Sequence, residues 1–406
     1  MQYDFNAAEA RAAILEPLTC IDGRESLPVR DVLGRVLADD VIAPGNVPAH
    51  DNSAMDGYAV RFDDLSATDE SAFKVVGSAF AGHPFSGQIG AGQAVRIMTG
   101  ATIPAGADTI VPQENTRSED TQVYIPAGQR RGQNLRRAGE DLAQGGIALG
   151  AGTRCGPAEI GLLASLGIAE VAVVRRLRVA FFSTGDEIAS IGRPLGPGEI
   201  YDSNRYTLYG MLTALGCELL DMGVIPDRPE ALEAAFREAS ENADVILTSG
   251  GVSVGEADYI RELVNRLGSV SFWRIAIKPG RPMAFGRIGK AWMFGLPGNP
   301  VAVMVTFYQF VLEALQTLAG VHPVPPPALF EAVSLDALRK RPGRREFVRG
   351  RVERKDGRVC VRPAGVEGAG ILKSMSEADC FIVLTEEQDN IEPGTTVLVQ
   401  PFHALM

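Results

Sequence analysis

Residues 244–259 read Asp244-Val-Ile-Leu-Thr-Ser-Gly-Gly-Val-Ser-Val-Gly-Glu-Ala-Asp-Tyr259, an apolar run followed by a loop rich in glycine and serine. The short β-branched run predicts a buried strand, and residues 257–267 are predicted to form a helix. Glycines let the backbone approach an anion closely, and the hydroxyl groups of Ser249 and Ser253 add hydrogen-bond donors. The amino end of the following helix adds a partial positive charge. The stretch therefore predicts a βα unit that binds phosphate; a plain surface turn is the alternative.

The same alternation of strand and helix extends on both sides of this loop. Strands are predicted at 177–183, 217–225, 245–248 and 270–277, followed by a hairpin at 283–294. Further helices are predicted to begin at Asp202, near Pro229 and near Pro300. Successive βα units form a mainly parallel sheet that is covered by helices. We therefore predict a central three-layer α/β domain over residues 171–322.

The rest of the 406-residue chain has different patterns, which indicate a multidomain α/β protein. Residues 1–48 and 147–170 are predicted to form a helical linker region, with helices at 7–18, 29–40 and 157–166. Residues 49–146 contain short apolar runs separated by Gly, Pro and Asp, which indicate an inserted β module, a small barrel or sandwich. A proline-rich linker leads into residues 327–406, which are predicted to form a C-terminal domain like a β-barrel.

The composition is that of a globular protein, with 46% hydrophobic and 22% charged residues. The formal charge of −11 disfavours nonspecific binding to nucleic acid. The first residues lack the regions of a secretory signal, and no uninterrupted apolar stretch approaches the roughly twenty residues of a membrane span. The five cysteines are scattered without a C-x-x-C pair, which argues against a disulfide or zinc framework. We expect a cytoplasmic protein that binds neither nucleic acid nor membranes.

Carboxylates follow three of the predicted parallel strands. Glu187, Asp227 and Asp258 stand shortly after these strands, beside turn residues. The carboxyl ends of parallel strands meet at one edge of the sheet, where ligands bind. Acids around a phosphate site indicate Mg²⁺, which bridges phosphate oxygens to carboxylates. The alternative makes each acid a helix N-cap; that suits Asp202 or Asp227 singly but explains the clustering poorly.

Basic residues stand near the same edge. Lys278-Pro-Gly-Arg281 follows the fourth strand, and two cations separated by a tight turn suit an oxyanion, although an ordinary basic turn is the alternative. The basic groups at 130–137 and 339–345 could each neutralise a small anionic ligand or be solvated surface charge. The turn Gly295-Leu-Pro-Gly-Asn-Pro300 either contributes to the site or only shapes the start of a helix.

Together with residues 51–60, 96–100 and 137–141, these segments resemble the molybdopterin molybdenumtransferase (MoeA) family, to which the E domains of gephyrin and plant molybdenum insertase are related. Members insert molybdate into the dithiolene of adenylylated molybdopterin and release AMP in a divalent-metal-dependent reaction. The resemblance implies a transferase with Mg²⁺ as cofactor and with molybdate and adenylylated molybdopterin as substrates. It also implies a homodimer whose shared active cleft lies between the α/β domain of one subunit and the inserted β module of the other.

The resemblance implies roles for individual residues. Catalytic residues would be Asp56, Thr99, Asp141, Glu187, Asp227, Asp258 and Lys278. Among these acids, Glu187, Asp227 and Asp258 would position Mg²⁺ or a water, and which of them binds metal is left open. The substrate would contact Ser249, Gly250, Gly251, Ser253, Gly255, Asp202, Asn204, Pro297 and Pro300. Molybdate would contact Lys278, Arg281, Arg349 and Ser374.

Two other functions stay open at this point. The preceding reaction, adenylyl transfer to molybdopterin, is carried out by a protein that shares the α/β domain, but the additional modules argue against it. A non-catalytic molybdopterin-binding scaffold is the second alternative, and the presence of Glu187, Asp227 and Asp258 argues against that one. The resemblance also allows a transient contact with the upstream adenylyltransferase.

Overall fold

The computed structural model describes residues 4–250, 258–366 and 368–402. The chain divides into two compact units. The first unit consists of Met1–Asp39, Ala151–Gly156 and Ala172–Met406, and it contains the α/β region and the C-terminal β region. The second consists of Asp40–Gly150 and Pro157–Val171, and it contains the inserted β module. The domain boundaries proposed from the sequence within these units remain predictions.

The second unit is built on a β-sheet. Among its described residues the sheet has six strands: β1 (Gly57–Val60), β2 (Ser71–Ala79), β3 (Gln93–Ile97), β4 (Thr109–Pro112), β5 (Arg117–Glu119) and β6 (Gln122–Ile125). Their order is β4–β1–β3–β2–β6–β5, and only β2 and β3 of these neighbours run parallel. Consecutive residues Tyr58 and Ala59 enter separate apolar clusters, so both faces of the sheet are covered. The prediction of an inserted β module is confirmed.

The central sheet of the first unit is mainly parallel, as predicted. It contains, within the described part of the chain, β7 (Arg178–Thr184), β8 (Glu218–Ile225), β9 (Val245–Ser249), β10 (Gly268–Arg274), β11 (Pro282–Ile288) and β12 (Ala291–Leu296). The order is β8–β7–β9–β12–β11–β10, in which the first four strands are parallel and β11 runs antiparallel to both of its neighbours, β12 and β10. Parallel strands buried on both faces read as continuous apolar runs, which explains why the sequence revealed them.

Helices cover both faces of this sheet. In the described part of the chain the α-helices are α1 (Ala7–Leu15), α2 (Pro157–Ser165), α3 (Ser203–Ala214), α4 (Pro229–Asn242), α5 (Asp258–Leu267), α6 (Pro300–Leu318, with a π-helical turn at Phe307–Val311) and α7 (Lys373–Glu377). Phe181 packs with α3 and α6 residues in one apolar cluster, and the adjacent Phe182 packs with Phe236 of α4 in another. The three-layer α/β arrangement is therefore confirmed.

The C-terminal region forms a closed barrel. Its strands, counted over the described residues, are β13 (Phe330–Ser334), β14 (Arg345–Lys355), β15 (Arg358–Pro363), β16 (Cys380–Leu384) and β17 (Thr396–Pro401). The order β14–β15–β13–β17–β16 closes because β16 also pairs with β14. The short strand Ile277–Lys278, at the exit from the α/β region, pairs in parallel with the start of β14. This pairing ties the barrel to the α/β region.

One prediction of secondary structure was wrong. Residues 29–40 form a 3₁₀ turn at Val29–Asp31 instead of a helix, because Gly34 has a φ of 74° and the backbone N–H of Leu37 bonds to Thr153. Helix α6 is long and apolar enough to cross a membrane by length and average composition, although polar residues such as Gln309 and Glu313 interrupt its apolar sequence. Its most apolar window is 72% buried inside the protein, so α6 is a core helix.

Candidate functional site

A cleft of about 640 Å³ lies at the carboxyl ends of the parallel strands β7, β8 and β9. The first turns of α3 and α6 and the turn after Ile277–Lys278 complete its wall. Parallel pairing brings these strand ends to one edge, which is why loops far apart in sequence meet there. Ten residues predicted for the site line this cleft: Glu187, Asp202, Asn204, Asp227, Ser249, Gly250, Lys278, Arg281, Pro297 and Pro300.

The end of β9 starts the predicted phosphate loop. Gly250 has a φ of 94°, and a Cβ there would lie 2.5 Å from the carbonyl oxygen of Thr184, so this position requires glycine. Gly251, Ser253 and Gly255 lie outside the described residues. Asp258 begins α5, but its side chain is also outside the description.

Asn204 connects three elements at the floor of the cleft. Its Nδ2 donates to Ser249 Oγ at 2.8 Å and to the carbonyl oxygen of Gly298 at 2.7 Å. These contacts join α3 to the last residue of β9 and to the loop that follows β12. The Oδ1 atom of this buried side chain accepts no hydrogen bond within the part of the chain described here.

Asp202 has a structural role that the sequence had offered as an alternative. It is the N-cap of α3, accepts a hydrogen bond from the backbone N–H of Arg205 at 3.1 Å, and is only 2% exposed. Its carboxylate also accepts from Ser183 Oγ at 2.9 Å and from Arg205 Nε at 3.1 Å. Protein donors therefore hold this carboxylate in place at the edge of the cleft, and they fix the start of α3.

Glu187 and Asp227 supply the acidic part of the cleft. Asp227 Oδ1 accepts from Thr184 Oγ1 at 3.3 Å. The N-cap of α4 is Arg228, without a side-chain cap, so the N-cap alternative for Asp227 is wrong. The Glu187 carboxylate lies over Gly185, where an added Cβ would come within 2.6 Å of its Oε2. No group of three possible metal-binding side chains occurs among the residues that were described.

The basic part of the cleft is paired with the C-terminal barrel. Lys278 Nζ lies 2.9 Å from Glu346 Oε2, and Arg344 lies 4.0 Å from Oε1 of the same carboxylate. The Glu346 side chain is 2% exposed, whereas that of Lys278 is 45% exposed. Sequence reasoning missed Glu346, because the only signal that places it here is the register of the strand pair Lys278↔Glu346.

Arg281 completes the turn after Lys278. Between them Gly280 has a φ of 101°, and a Cβ at this position would lie 2.6 Å from Thr306 Oγ1. The turn is therefore pressed against α6, and only glycine is accommodated there. This close approach holds Lys278 and Arg281 on the same wall of the cleft.

Arg349 and Ser374 lie next to the cleft and not in it. Arg349 and Lys278 both line an adjoining cavity of about 100 Å³. Arg349 Nε donates to Ser374 Oγ at 3.1 Å, and both side chains are buried. Lys278 is thus common to the cleft and to this smaller cavity.

The remaining predicted residues belong to the second unit. The backbone N–H and the hydroxyl of Thr99 both donate to Asp56 Oδ1 at 2.8 Å, and these bonds hold the pKa of Asp56 below its ordinary value. Asp51 accepts from Arg137 at 3.0 Å, which brings residues 137–141 to residues 51–60. Asp141 is exposed in the same stretch. The three polar segments noted in the sequence therefore meet within this unit.

Comparison with known proteins identifies the family. The chain matches the MoeA N-terminal region (domain I and II) over residues 5–167, the probable molybdopterin binding domain over 180–317, and the MoeA C-terminal region (domain IV) over 331–402. It is 44% identical to the molybdopterin molybdenumtransferase of Haemophilus influenzae, over 98% of both chains. It is 37% identical to the protein of that name from Nostoc sp., over 90% of this chain and 86% of that protein.

Solved structures agree with this assignment. A molybdopterin biosynthesis MoeA protein from Pyrococcus horikoshii OT3 superposes with a TM-score of 0.84 at 27% identity, over 98% of this chain and 100% of that chain. A second structure described as a MoeA protein of Pyrococcus horikosii gives a TM-score of 0.78 at 31% identity, over 98% of both chains. The chain therefore belongs to the molybdopterin molybdenumtransferase (MoeA) family of transferases in molybdenum cofactor biosynthesis.

Proposed function

We propose that this transferase inserts molybdate into adenylylated molybdopterin, releases AMP and requires Mg²⁺. One observation carries the proposal: a single cleft combines the glycine at the start of the β9 loop with the carboxylates of Glu187 and Asp227 and the basic side chains of Lys278 and Arg281. A substrate that contains a phosphoanhydride needs hydrogen-bond donors to its phosphate oxygens and a metal cation, and an incoming dianion needs positive charge. The cleft offers residues suited to each of these groups.

The β9 loop would hold the phosphate end of the organic substrate. Ser249 and Gly250 line the cleft, and Gly251, Ser253 and Gly255 follow them in the sequence. Asn204 fixes Ser249 through a hydrogen bond of 2.8 Å. Its buried Oδ1 is suited to accept a hydrogen bond from an N–H or O–H group of the substrate.

Glu187 and Asp227, together with Asp258, would hold Mg²⁺. The donor set fits this ion, since Mg²⁺ prefers oxygen ligands and takes only one or two carboxylates, with phosphate oxygens and water as its other ligands. When bound, the ion withdraws electron density from the phosphate oxygens. A carboxylate that does not bind the ion would orient the water that cleaves the phosphoanhydride. The hydrogen bond from Thr184 keeps Asp227 directed along the end of β7.

Molybdate would bind beside Lys278. Arg281 lies on the same wall, and Arg349, held by Ser374, lines the adjoining cavity. Charge-assisted hydrogen bonds from such side chains suit a tetrahedral dianion. The role of Glu346 is to neutralise and position Lys278 before the anion arrives.

We further propose a cytoplasmic homodimer with a shared active site and a transient contact with the upstream adenylyltransferase. Asp56, oriented by Thr99, and the exposed Asp141 would act on the cleft of the partner subunit. Two inactive variants, Asp56→Asn and Glu187→Ala, test this arrangement when they are coexpressed in equal amounts. Random pairing then restores intact sites to about one quarter of the wild-type level. No recovery in verified mixed dimers contradicts a shared site.

The main experiment supplies purified protein with adenylylated molybdopterin, molybdate and Mg²⁺. We expect AMP release together with formation of active cofactor. Glu187→Ala should retain the fold but lose both products. A folded wild-type protein that releases no AMP contradicts the proposal. ATP consumption with molybdopterin alone would indicate the adenylyltransferase, and full complementation by Glu187→Ala would indicate the scaffold.

A further inference from the structure

A second cavity of about 710 Å³ adjoins the cleft at the C-terminal barrel. It is formed mainly by residues 337–341, before β14, and residues 389–392, before β17. Lys278 and Arg344 line both this cavity and the cleft. We name this second cavity the barrel pocket. Because Lys278 and Arg344 line both cavities, the barrel pocket lies directly beside the proposed active site.

The barrel pocket carries a local surplus of positive charge in an acidic protein. Among the described residues its lining contains five basic side chains, Lys278, Arg339, Lys340, Arg341 and Arg344, and three acidic ones, Glu346, Asp389 and Glu392. The Glu346 carboxylate is already occupied by Lys278 and lies near Arg344. The remaining acids do not balance the remaining cations, so the pocket favours an anion.

Arg339 and Arg341 are available to a ligand. Both are exposed, and neither has an ion-pair partner in the described ranges 4–250, 258–366 and 368–402. Guanidinium groups bind planar and tetrahedral oxyanions through paired N–H donors.

Lys340 holds the loop between these arginines in place. It is 3% exposed, and its Nζ donates to the carbonyl oxygens of Arg341 at 3.1 Å and Arg344 at 2.7 Å. Its backbone N–H donates to Asn390 Oδ1 at 3.0 Å, across the pocket. A buried ammonium that is bonded to backbone carbonyls fixes the path of residues 340–344. The arginines therefore start from a rigid loop, which lowers the ordering cost of binding an anion.

We infer that the barrel pocket binds free inorganic dianion, molybdate or a similar tetrahedral oxyanion, and loads it into the cleft along Arg344 and Lys278. The inference rests on the proposed function and adds the site at which the inorganic substrate first binds. Arg339 and Arg341 capture the anion. Arg344 and Lys278 line both cavities, so they provide positive charge on both sides of the boundary. A dianion that passes from one cavity to the other therefore stays close to a basic side chain.

The test compares wild type with the double variant Arg339→Gln/Arg341→Gln by calorimetric titration with sodium molybdate alone. We expect the double variant to lose one binding event, or to bind that molybdate about tenfold more weakly. In the insertion assay it should need about tenfold more molybdate, with kcat at saturating molybdate unchanged. The control Arg351→Gln/Arg354→Gln removes the same charge from exposed positions of β14 outside the pocket and should behave as wild type.

Identical molybdate isotherms for wild type and the double variant overturn the inference. It is also overturned if the variant loses affinity for AMP and not for molybdate, because the pocket then serves the phosphate of the organic substrate. The molybdate titration does not require catalysis, so it tests the barrel pocket independently of the proposed molybdate insertion. If the proposed function fails, the molybdate isotherms still differ between the two proteins while the wild type releases no AMP.

Discussion

Lys278 Nζ lies 2.9 Å from Oε2 of Glu346, so a buried carboxylate of the barrel holds a basic side chain that faces the cleft. The two residues are also register partners in a parallel strand pair, Lys278↔Glu346. The strand pairing and the ion pair therefore both fix the position of the Lys278 ammonium group. A dianion that binds Lys278 must compete with Glu346, so a mutation at either residue should change the affinity of the site for the dianion.

Lys278→Gln should raise the molybdate concentration needed for insertion by roughly ten- to hundredfold, because a charge-assisted contact contributes roughly 1.5–3 kcal/mol. Glutamine can still donate a hydrogen bond to Glu346, which limits damage to the fold. AMP release titrated against molybdate measures the effect. The reciprocal change Glu346→Gln should lower the required molybdate, since Lys278 loses its competing charge. If both variants shift the titration in the same direction, the competition does not exist.

Thr99→Val should raise the pKa of Asp56 toward its ordinary value, because it removes the hydroxyl that donates to Asp56 Oδ1. In the native protein the lowered pKa means that this contact stabilises the fold above the ordinary Asp pKa. That stabilisation is lost as the pH falls through the lower, folded-state pKa. Carboxyl NMR titration reports the pKa directly. Thr68→Val, which removes a similar bond to Asp69, should leave the Asp56 titration unchanged.

Asn204→Ala should destabilise the first unit by roughly 1–3 kcal/mol, because it leaves Ser249 and the Gly298 carbonyl without their buried donor. Urea denaturation measures the loss. The matched control is Asn242→Ala, which removes an exposed bond to the Glu238 carbonyl at the end of α4 and should cost little. Equal losses in the two variants contradict a special role for Asn204. A weaker affinity for the organic substrate is expected only for the Asn204 variant.

Gly280→Ala should disturb the turn that carries Lys278 and Arg281, since its Cβ would lie 2.6 Å from Thr306 Oγ1 and its φ is 101°. Both thermal stability and the response to molybdate should fall. Gly289→Ala provides the control, because this hairpin glycine also has positive φ but its Cβ meets nothing closer than 3.6 Å. That control should lose some stability and keep the wild-type molybdate titration. A normal titration for Gly280→Ala shows that the turn tolerates the side chain.

Local patterns explain why the α/β region was predictable. Phe181 and Phe182 point to opposite apolar clusters, so β7 is apolar at consecutive positions and is recognisable as a doubly buried strand. The helix predicted at 29–40 was wrong because this segment depends on contacts that are distant in sequence. Its apolar spacing resembles a helix, but its backbone bonds go to distant segments, which no local pattern reveals.

The sequence by itself determined the βα alternation, the glycine-rich loop and the acids after the parallel strands, because each is a local pattern or follows from parallel pairing. Only the tertiary structure decided which side chains neutralise or orient the site. Lys278 and Glu346 are 68 residues apart, and Asn204 and Gly298 are 94 apart. Such pairs depend on the register between distant strands and on the closure of the barrel. Their energies arise only after the chain has folded, so they leave no periodic signal in the sequence.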